Sequence, residues 1–168
     1  MKIQLYGITD VGQKRSHNED SFAICKNIGN NEWSFDEDEM LELSVKGALM
    51  AVADGVGGAN AGEVASYVAI ESVKASFEEL VDISQSIQGR EKLLEETILK
   101  AHQDILTHQQ KEPETAGMCT TLILGWVKDN HLHVGWVGDS RCYIHHEGIT
   151  LLPFTNDHSL VWDFVKNE

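Results

Sequence analysis

The sequence predicts an α+β fold built on antiparallel sheets. Strand-like runs come first, two amphipathic helical stretches follow, and strand-like runs at hairpin spacing then return. An alternating strand–helix repeat would point to a parallel sheet, and none occurs. The chain has no linker, internal repeat or low-complexity stretch, so its 168 residues read as one domain able to bury a core.

Residues 2–9, 20–26 and 46–53 read as strands, the last a nearly continuous apolar run suited to a strand buried on both faces. Between the second and third, residues 29–44 carry Asp36-Glu37-Asp38-Glu39 and Glu42. Like charges repel and favour extension, so this reads as a solvated hairpin loop. A helix is predicted over 60–81, where Asn60 and Glu63 have capping-box spacing. Val64, Ala65, Val68, Ser72, Ala75, Phe77 and Leu80 recur at roughly helical intervals and mark its sheet-facing stripe. A second helix over 90–110 aligns Leu94, Ile98, Ala101 and Ile105. Pro113 then breaks the pattern. Residues 119–127 and 131–137 form a predicted hairpin around Lys128-Asp129-Asn130, and 141–145 with 148–152 another around His146-Glu147.

Charge and composition narrow the function. Thirteen basic residues against 27 acidic ones leave a net charge of −14. Such a surface repels phosphates, which argues against nucleic acid or an anionic membrane as a partner. It attracts cations, and an anionic substrate would need local basic groups. No apolar stretch approaches the ~20 residues that span a bilayer, and the N-terminus lacks the apolar core of a secretory signal. Three cysteines without metal-type spacing suggest free thiols, and hence a soluble cytoplasmic protein.

The most informative stretch runs from Leu49 to Glu63. An apolar run ends in Asp54, and four of the next eight residues are glycine. A strand thus delivers a carboxylate to its end, and a loop almost without side chains follows. Hard cations such as Mg²⁺ or Mn²⁺ take carboxylate and carbonyl oxygens, which Asp54-Gly55 can supply. Further carboxylates sit at other strand ends beside Gly or Asn: Asp10-Val11-Gly12 with Arg15, Asn18-Glu19-Asp20, Gly138-Asp139-Ser140-Arg141, and Asn156-Asp157-His158. This is the inventory of a metal site that works on a phosphoryl group. Two other readings are weaker. His131 and His133 share a strand face, but no HExxH or Cys/His cluster supports zinc. The glycines after Asp54 lack the Lys-Ser/Thr of a phosphate loop and the dinucleotide-binding spacing.

Taken together, the motifs resemble those of the metal-dependent protein phosphatases of type 2C (PPM), in their bacterial form. The matching segments are Thr9-Asp10-Val11-Gly12 with Arg15 and Asn18-Glu19-Asp20, Ala53-Asp54-Gly55-Val56-Gly57-Gly58 with Gly62-Glu63-Ala65-Ser66, Cys119-Thr120-Thr121, Gly138-Asp139-Ser140-Arg141-Tyr143, and Thr155-Asp157-His158-Ser159-Leu160. They stand in the family's order across nearly the whole chain.

The resemblance implies two packed antiparallel sheets flanked by helices. It also implies hydrolysis of phosphoserine or phosphothreonine by metal-activated water, with two Mg²⁺ or Mn²⁺ ions and possible use of a third. By that resemblance Asp54 bridges the metals, the Gly55 carbonyl binds one, and Asp20 with Glu19 holds metal-bound waters. Arg15 clamps the substrate phosphate, and Asp139 serves the third metal. Val56 stands where animal-type members often carry His, as in bacterial members. The implied partner is a phosphorylated protein, a target of a bacterial serine/threonine kinase. Family members run on past the Asp-His-Ser motif and supply two further aspartates. This chain stops at Glu168, which suggests the N-terminal two-thirds of one domain, with the C-terminal part missing. The alternative reading is a non-catalytic phosphoprotein- or metal-binding regulatory module lacking a complete dinuclear site.

Overall fold

The computed structural model describes residues 1–33, 40–56, 61–79, 86–148 and 150–158. Its centre is a four-stranded antiparallel sheet in the order β2-β4-β5-β6, formed by Asp20–Cys25, Ala48–Asp54, Leu122–Lys128 and His131–Val137. Two short pairs accompany it: β1 (Lys2–Ile3) with β3 (Leu41–Glu42), and β7 (Tyr143–Ile144) with β8 (Leu152–Pro153). Helices α1 (Gly62–Glu78) and α2 (Ile87–Lys111) pack on each other and on the sheet.

Side-chain alternation along the strands builds two unequal faces. Ala23, Cys25, Leu49, Ala51, Ala53, Leu122, Leu124 and Trp126 meet the helices and form the main core. From α1 this core receives the small stripe Ala65, Ala69 and Val73, closed by Phe77. Phe77 meets the fully buried Trp126 edge-on at 5.5 Å. The opposite face holds a smaller cluster of Leu5, Ile24 and Ala48, with Ile3, Phe22, Leu43 and Met50 against it. Cover there is partial, and Val52 remains 44% exposed. The apolar run of β4 is therefore buried on both faces only over its first residues, short of the full burial read from sequence.

The remaining differences from the sequence reading have local causes. The predicted strand over 2–9 shrinks to Lys2–Ile3, because β3 offers only a two-residue partner. Beyond it, Tyr6–Asp10 line a cavity of about 440 Å³ against β2 and β4. Of the stripe expected on α1, Ala65, Ser72 and Phe77 are buried, whereas Val64, Val68 and Ala75 are only partly so, and Ala69, Ile70 and Val73 complete the buried side. Helix α1 starts after Ala61, whose φ is 54°, with no side-chain cap. Asn60, Gly57-Gly58, the acidic run Asp36–Glu39, Leu80 and Ser159-Leu160 lie outside the described residues. The Lys128–His131 hairpin matches expectation: Asp129 and Asn130 both take positive φ, as a two-residue turn requires. The last hairpin narrows to two pairs, Ile144 with Leu152 and Tyr143 with Pro153, so its connection is longer than the His146-Glu147 turn expected.

At the end of the sheet away from Asp54, three basic side chains are buried: Arg90, Lys128 and His133. Arg90 pairs with Asp129, and the Lys128 ammonium donates to the Val45 carbonyl at 2.6 Å. The His133 Nε2 atom lies 3.4 Å from an Arg90 nitrogen. Burial first, then the Arg90 charge, push the His133 pKa below its ordinary value.

Trp126 joins both helices' core to the loop before β4, through an Nε1 hydrogen bond of 3.0 Å to the Lys46 carbonyl. Trp126→Ala is expected to cost about 3–5 kcal/mol in urea unfolding, the usual range for a buried tryptophan. A loss below about 1 kcal/mol would show that the core does not depend on this ring.

Candidate active site

Strands β2 and β4 pair so that Asp20 stands directly opposite Asp54. Both carboxylates fall on the side of the sheet away from the helices, following the alternation of Phe22, Ile24, Met50 and Val52. Like charges directly opposite each other destabilise a ladder. The pKa of Asp54 is correspondingly raised, first by partial burial, then by the charge and hydrogen bond of Asp20, and further by Asp139. Arg15 acts in the opposite sense. A cavity of about 130 Å³ lies over the pair, lined by Asp10, Arg15, Asn18, Glu19, Asp20 and Asp54 among others.

The loop before β2 is held by its own polar groups. The Asn18 amide nitrogen donates to the Thr9 hydroxyl at 2.7 Å, and the Asn18 side-chain oxygen accepts from the Asp20 amide at 3.0 Å. Arg15 donates to the Glu19 carboxylate at 2.7 Å. Arg15 is 63% exposed and Glu19 only 17%, so the guanidinium caps a mostly covered carboxylate.

After Asp54 the backbone is packed too closely for a side chain. The Gly55 amide donates to the Glu19 carbonyl at 3.1 Å. A Cβ on Gly55 would lie 2.2 Å from the Gly62 carbonyl oxygen and 2.6 Å from that of Glu19. Glycine is therefore fixed here by close approach. Ser66 adds a second hold by donating to the Glu19 carbonyl at 2.6 Å.

Asp139 arrives from the other side. Gly138 before it has φ +99° and packs on Thr121, whose Cγ2 would lie 2.7 Å from an added Cβ. The Thr121 hydroxyl lies 2.6 Å from that of Ser140 and accepts from the Asp54 amide at 3.0 Å. The Thr121 amide donates back to the Asp54 carbonyl at 2.9 Å.

Of the residues singled out from sequence, the fold thus brings Asp20, Asp54, Arg15, Glu19 and Gly55 to one place and sets Asp139 near enough to act on Asp54. Thr121, Ser140 and Ser66 carry the support; the sequence reading placed them within motifs but assigned them no function. Hydroxyls beside motif residues were the signal available for them. The donor set is all oxygen and its negative charge is unbalanced, which fits a hard cation. Among the described residues, no group of three or more His, Cys, Asp and Glu side chains is placed to hold a metal by itself. None of the described helices is long and apolar enough to cross a membrane.

A family model described as protein phosphatase 2C matches residues 15–163. The chain belongs to the protein phosphatase 2C family. It is 30% identical over 158 residues to the serine/threonine phosphatase stp of Listeria monocytogenes, covering 94% of this chain and 56% of that protein. Its fold matches a crystal structure of a bacterial serine phosphatase with TM-score 0.75 and 28% identity, over 99% of this chain and 58% of the other. It also matches the catalytic domain of the serine/threonine phosphatase PstP in complex with two manganese ions, with TM-score 0.65 and 26% identity. That likeness covers 99% of this chain and 59% of the PstP chain. The chain thus spans less than six-tenths of the length of these relatives.

The raised Asp54 pKa fixes the sign of a stability test. A carboxyl group whose pKa is higher in the folded state favours folding when protonated and opposes it when ionised. Asp54→Asn is therefore expected to raise the melting temperature at neutral pH. The gain should disappear as pH falls through the ordinary carboxylate range, where wild type is neutral too. A variant that melts lower than wild type at pH 7 would contradict the repulsion.

Proposed function

We propose that this chain forms the greater part of the catalytic centre of a protein serine/threonine phosphatase, hydrolysing phosphoserine and phosphothreonine in protein substrates. The observation that carries this reading is the facing Asp20–Asp54 pair beneath a cavity rimmed by Arg15. The reading treats residues 1–168 as one domain. Asp54, Asp20 and the Gly55 carbonyl would hold the divalent ions, Mg²⁺ or Mn²⁺, with Glu19 beside Asp20 and Asp139 toward a further ion. Bound there, such ions would lower the pKa of water and offset charge on the phosphoryl oxygens.

The chain's own groups do the rest. Arg15 exchanges its contact with Glu19 for the substrate phosphate, where its planar fork can donate two parallel hydrogen bonds. Thr121 and the Asn18 turn fix the backbone on which the two carboxylates are carried. Val56 offers no proton beside Asp54. The phosphorylated substrate would be a target of a bacterial serine/threonine kinase, in the cytoplasm, with no part for nucleic acid or membrane. A non-catalytic binding module has less support, because relatives spanning 94% of the chain are named phosphatases.

The assay uses the 168-residue chain and the same chain extended to its relatives' length with the C-terminal segment of the Listeria phosphatase. The extended chain is expected to hydrolyse a phosphothreonine peptide in Mn²⁺, to stop in EDTA, and to lose nearly all turnover with Asp54→Asn. Turnover that survives chelator or that substitution would overturn the proposal.

Arg15→Ala in the extended chain should mainly raise KM, by about ten- to a hundredfold for a lost charge-assisted contact. An unchanged KM would remove Arg15 from the phosphate.

Calorimetry on the 168-residue chain should show Mn²⁺ binding far weaker than in the extended chain, since near-octahedral oxygen ligation needs more donors than one facing pair supplies. Tight two-ion binding by the shorter chain would show that it finds its remaining ligands within itself.

A further inference from the structure

Arg141 and Asp157 do not line the cavity over Asp20 and Asp54, yet a continuous set of contacts joins them to it. The Arg141 Nε atom donates to Asp157 Oδ1 at 2.7 Å and its Nη2 to Oδ2 at 2.6 Å, a fork-on-fork pair. Asp157 is only 14% exposed. Backbone bonds run alongside: the His158 amide to the Gly138 carbonyl at 2.9 Å and the Phe154 amide to the Cys142 carbonyl at 2.8 Å. The Trp136 indole donates to the Asn156 carbonyl at 2.8 Å and stacks on the His158 ring. Residues 154–158 are thus bound along 136–142, and among the described residues Arg141–Asp157 is the ion pair in this seam.

The Gly138–Ser140 turn just before Arg141 has its other side on Thr121. Gly138 packs on the Thr121 side chain, and the Ser140 hydroxyl meets the Thr121 hydroxyl that accepts from the Asp54 amide. A shift of the turn therefore moves Asp139 and disturbs the backbone that carries Asp54. We infer that the Arg141–Asp157 pair is a positioning device, which clamps the Gly138–Ser140 turn so that Asp139 is held beside Asp54. The inference rests on the phosphatase reading for the use made of Asp139. The clamp itself is independent of that use.

Two measurements test it, each on wild type, Arg141→Ala, Arg141→Lys, Asp157→Ala and the exchanged pair Arg141→Asp/Asp157→Arg. In the 168-residue chain, amide hydrogen exchange at Asp54 and His158 is expected to speed up about tenfold or more in the alanine variants, while amides of β5 stay within about twofold. In the extended chain, the Mn²⁺ concentration for half-maximal activity should rise about tenfold, as for a lost partner of a metal ligand, with peptide KM unchanged. The exchanged pair should restore both readouts. The lysine variant should fall between, because an ammonium cannot reproduce the fork. Should Arg141→Ala fail to fold, Arg141→Lys carries the same comparison.

Unchanged exchange at Asp54 in the folded single variants overturns the positioning role. So does faster exchange with an unchanged Mn²⁺ requirement, which would make the pair merely structural. An extended wild-type chain with no phosphatase activity overturns the phosphatase reading instead, and the exchange at Asp54 still decides the clamp.

Discussion

Everything near the candidate site depends on one unfavourable pairing, the carboxylates of Asp20 and Asp54 directly opposite each other at the ends of β2 and β4. A ladder chosen for stability alone would not place like charges there. The surroundings act as a frame that stops the pair from relaxing. Ser66 and the Gly55 amide hold the Glu19 carbonyl, Asn18 holds the Asp20 amide, and Thr121 holds Asp54 from both its amide and its carbonyl. Local repulsion is maintained because neighbouring backbone leaves no slack, and such stored strain is common at functional sites. Gly55 and Gly62 belong to this frame, for they let two backbone segments lie in contact where a Cβ would separate them.

The elements that read well from sequence are those whose signals are local. The hairpin of β5 and β6 appears at its expected strands because alternation and an Asp-Asn turn act within a few residues. Helix α2 keeps its stripe of Leu94, Ala101 and Ile105 for the same reason. What could not be read is set by partners distant in sequence. The segment 2–9 has good strand composition, yet among the described residues only Leu41–Glu42 pairs with it as a strand. On α1, Ala65, Ser72 and Phe77 are buried as the sequence pattern indicates, but Ala69 and Val73 fall outside that pattern, and Val64 and Val68 are only partly buried, because close packing on the sheet selects the small line Ala65, Ala69 and Val73.

The site was legible to the same degree and for the same reason. Asp54, Asp20, Glu19, Arg15 and Asp139 are marked by chemistry that changes little with context: charged groups beside glycine or asparagine at the ends of apolar runs. Thr121 and Ser140 carry no such mark. Their importance lies in a contact between residues 19 positions apart, which only the return of β6 toward the end of β4 creates. Arg141 and Asp157 likewise become a pair only once the chain has doubled back.

His133, buried beside Arg90 at the opposite end of the sheet, gives the molecule a polarity toward acid. Arg90 and His131 oppose a proton on its ring, and the weaker pulls of Glu91 and Asp129 favour one. Its pKa is depressed, so the stability it contributes is lost as pH falls below the ordinary histidine value. Protonation of Asp54, whose pKa lies above the ordinary carboxylate value, relaxes the crowding at the carboxylate end. Protons thus pull the two ends of one sheet in opposite directions. Falling pH should loosen the arch where α2 meets the β5–β6 turn as His133 takes up its proton, and quieten the carboxylate end as Asp54 takes up its own.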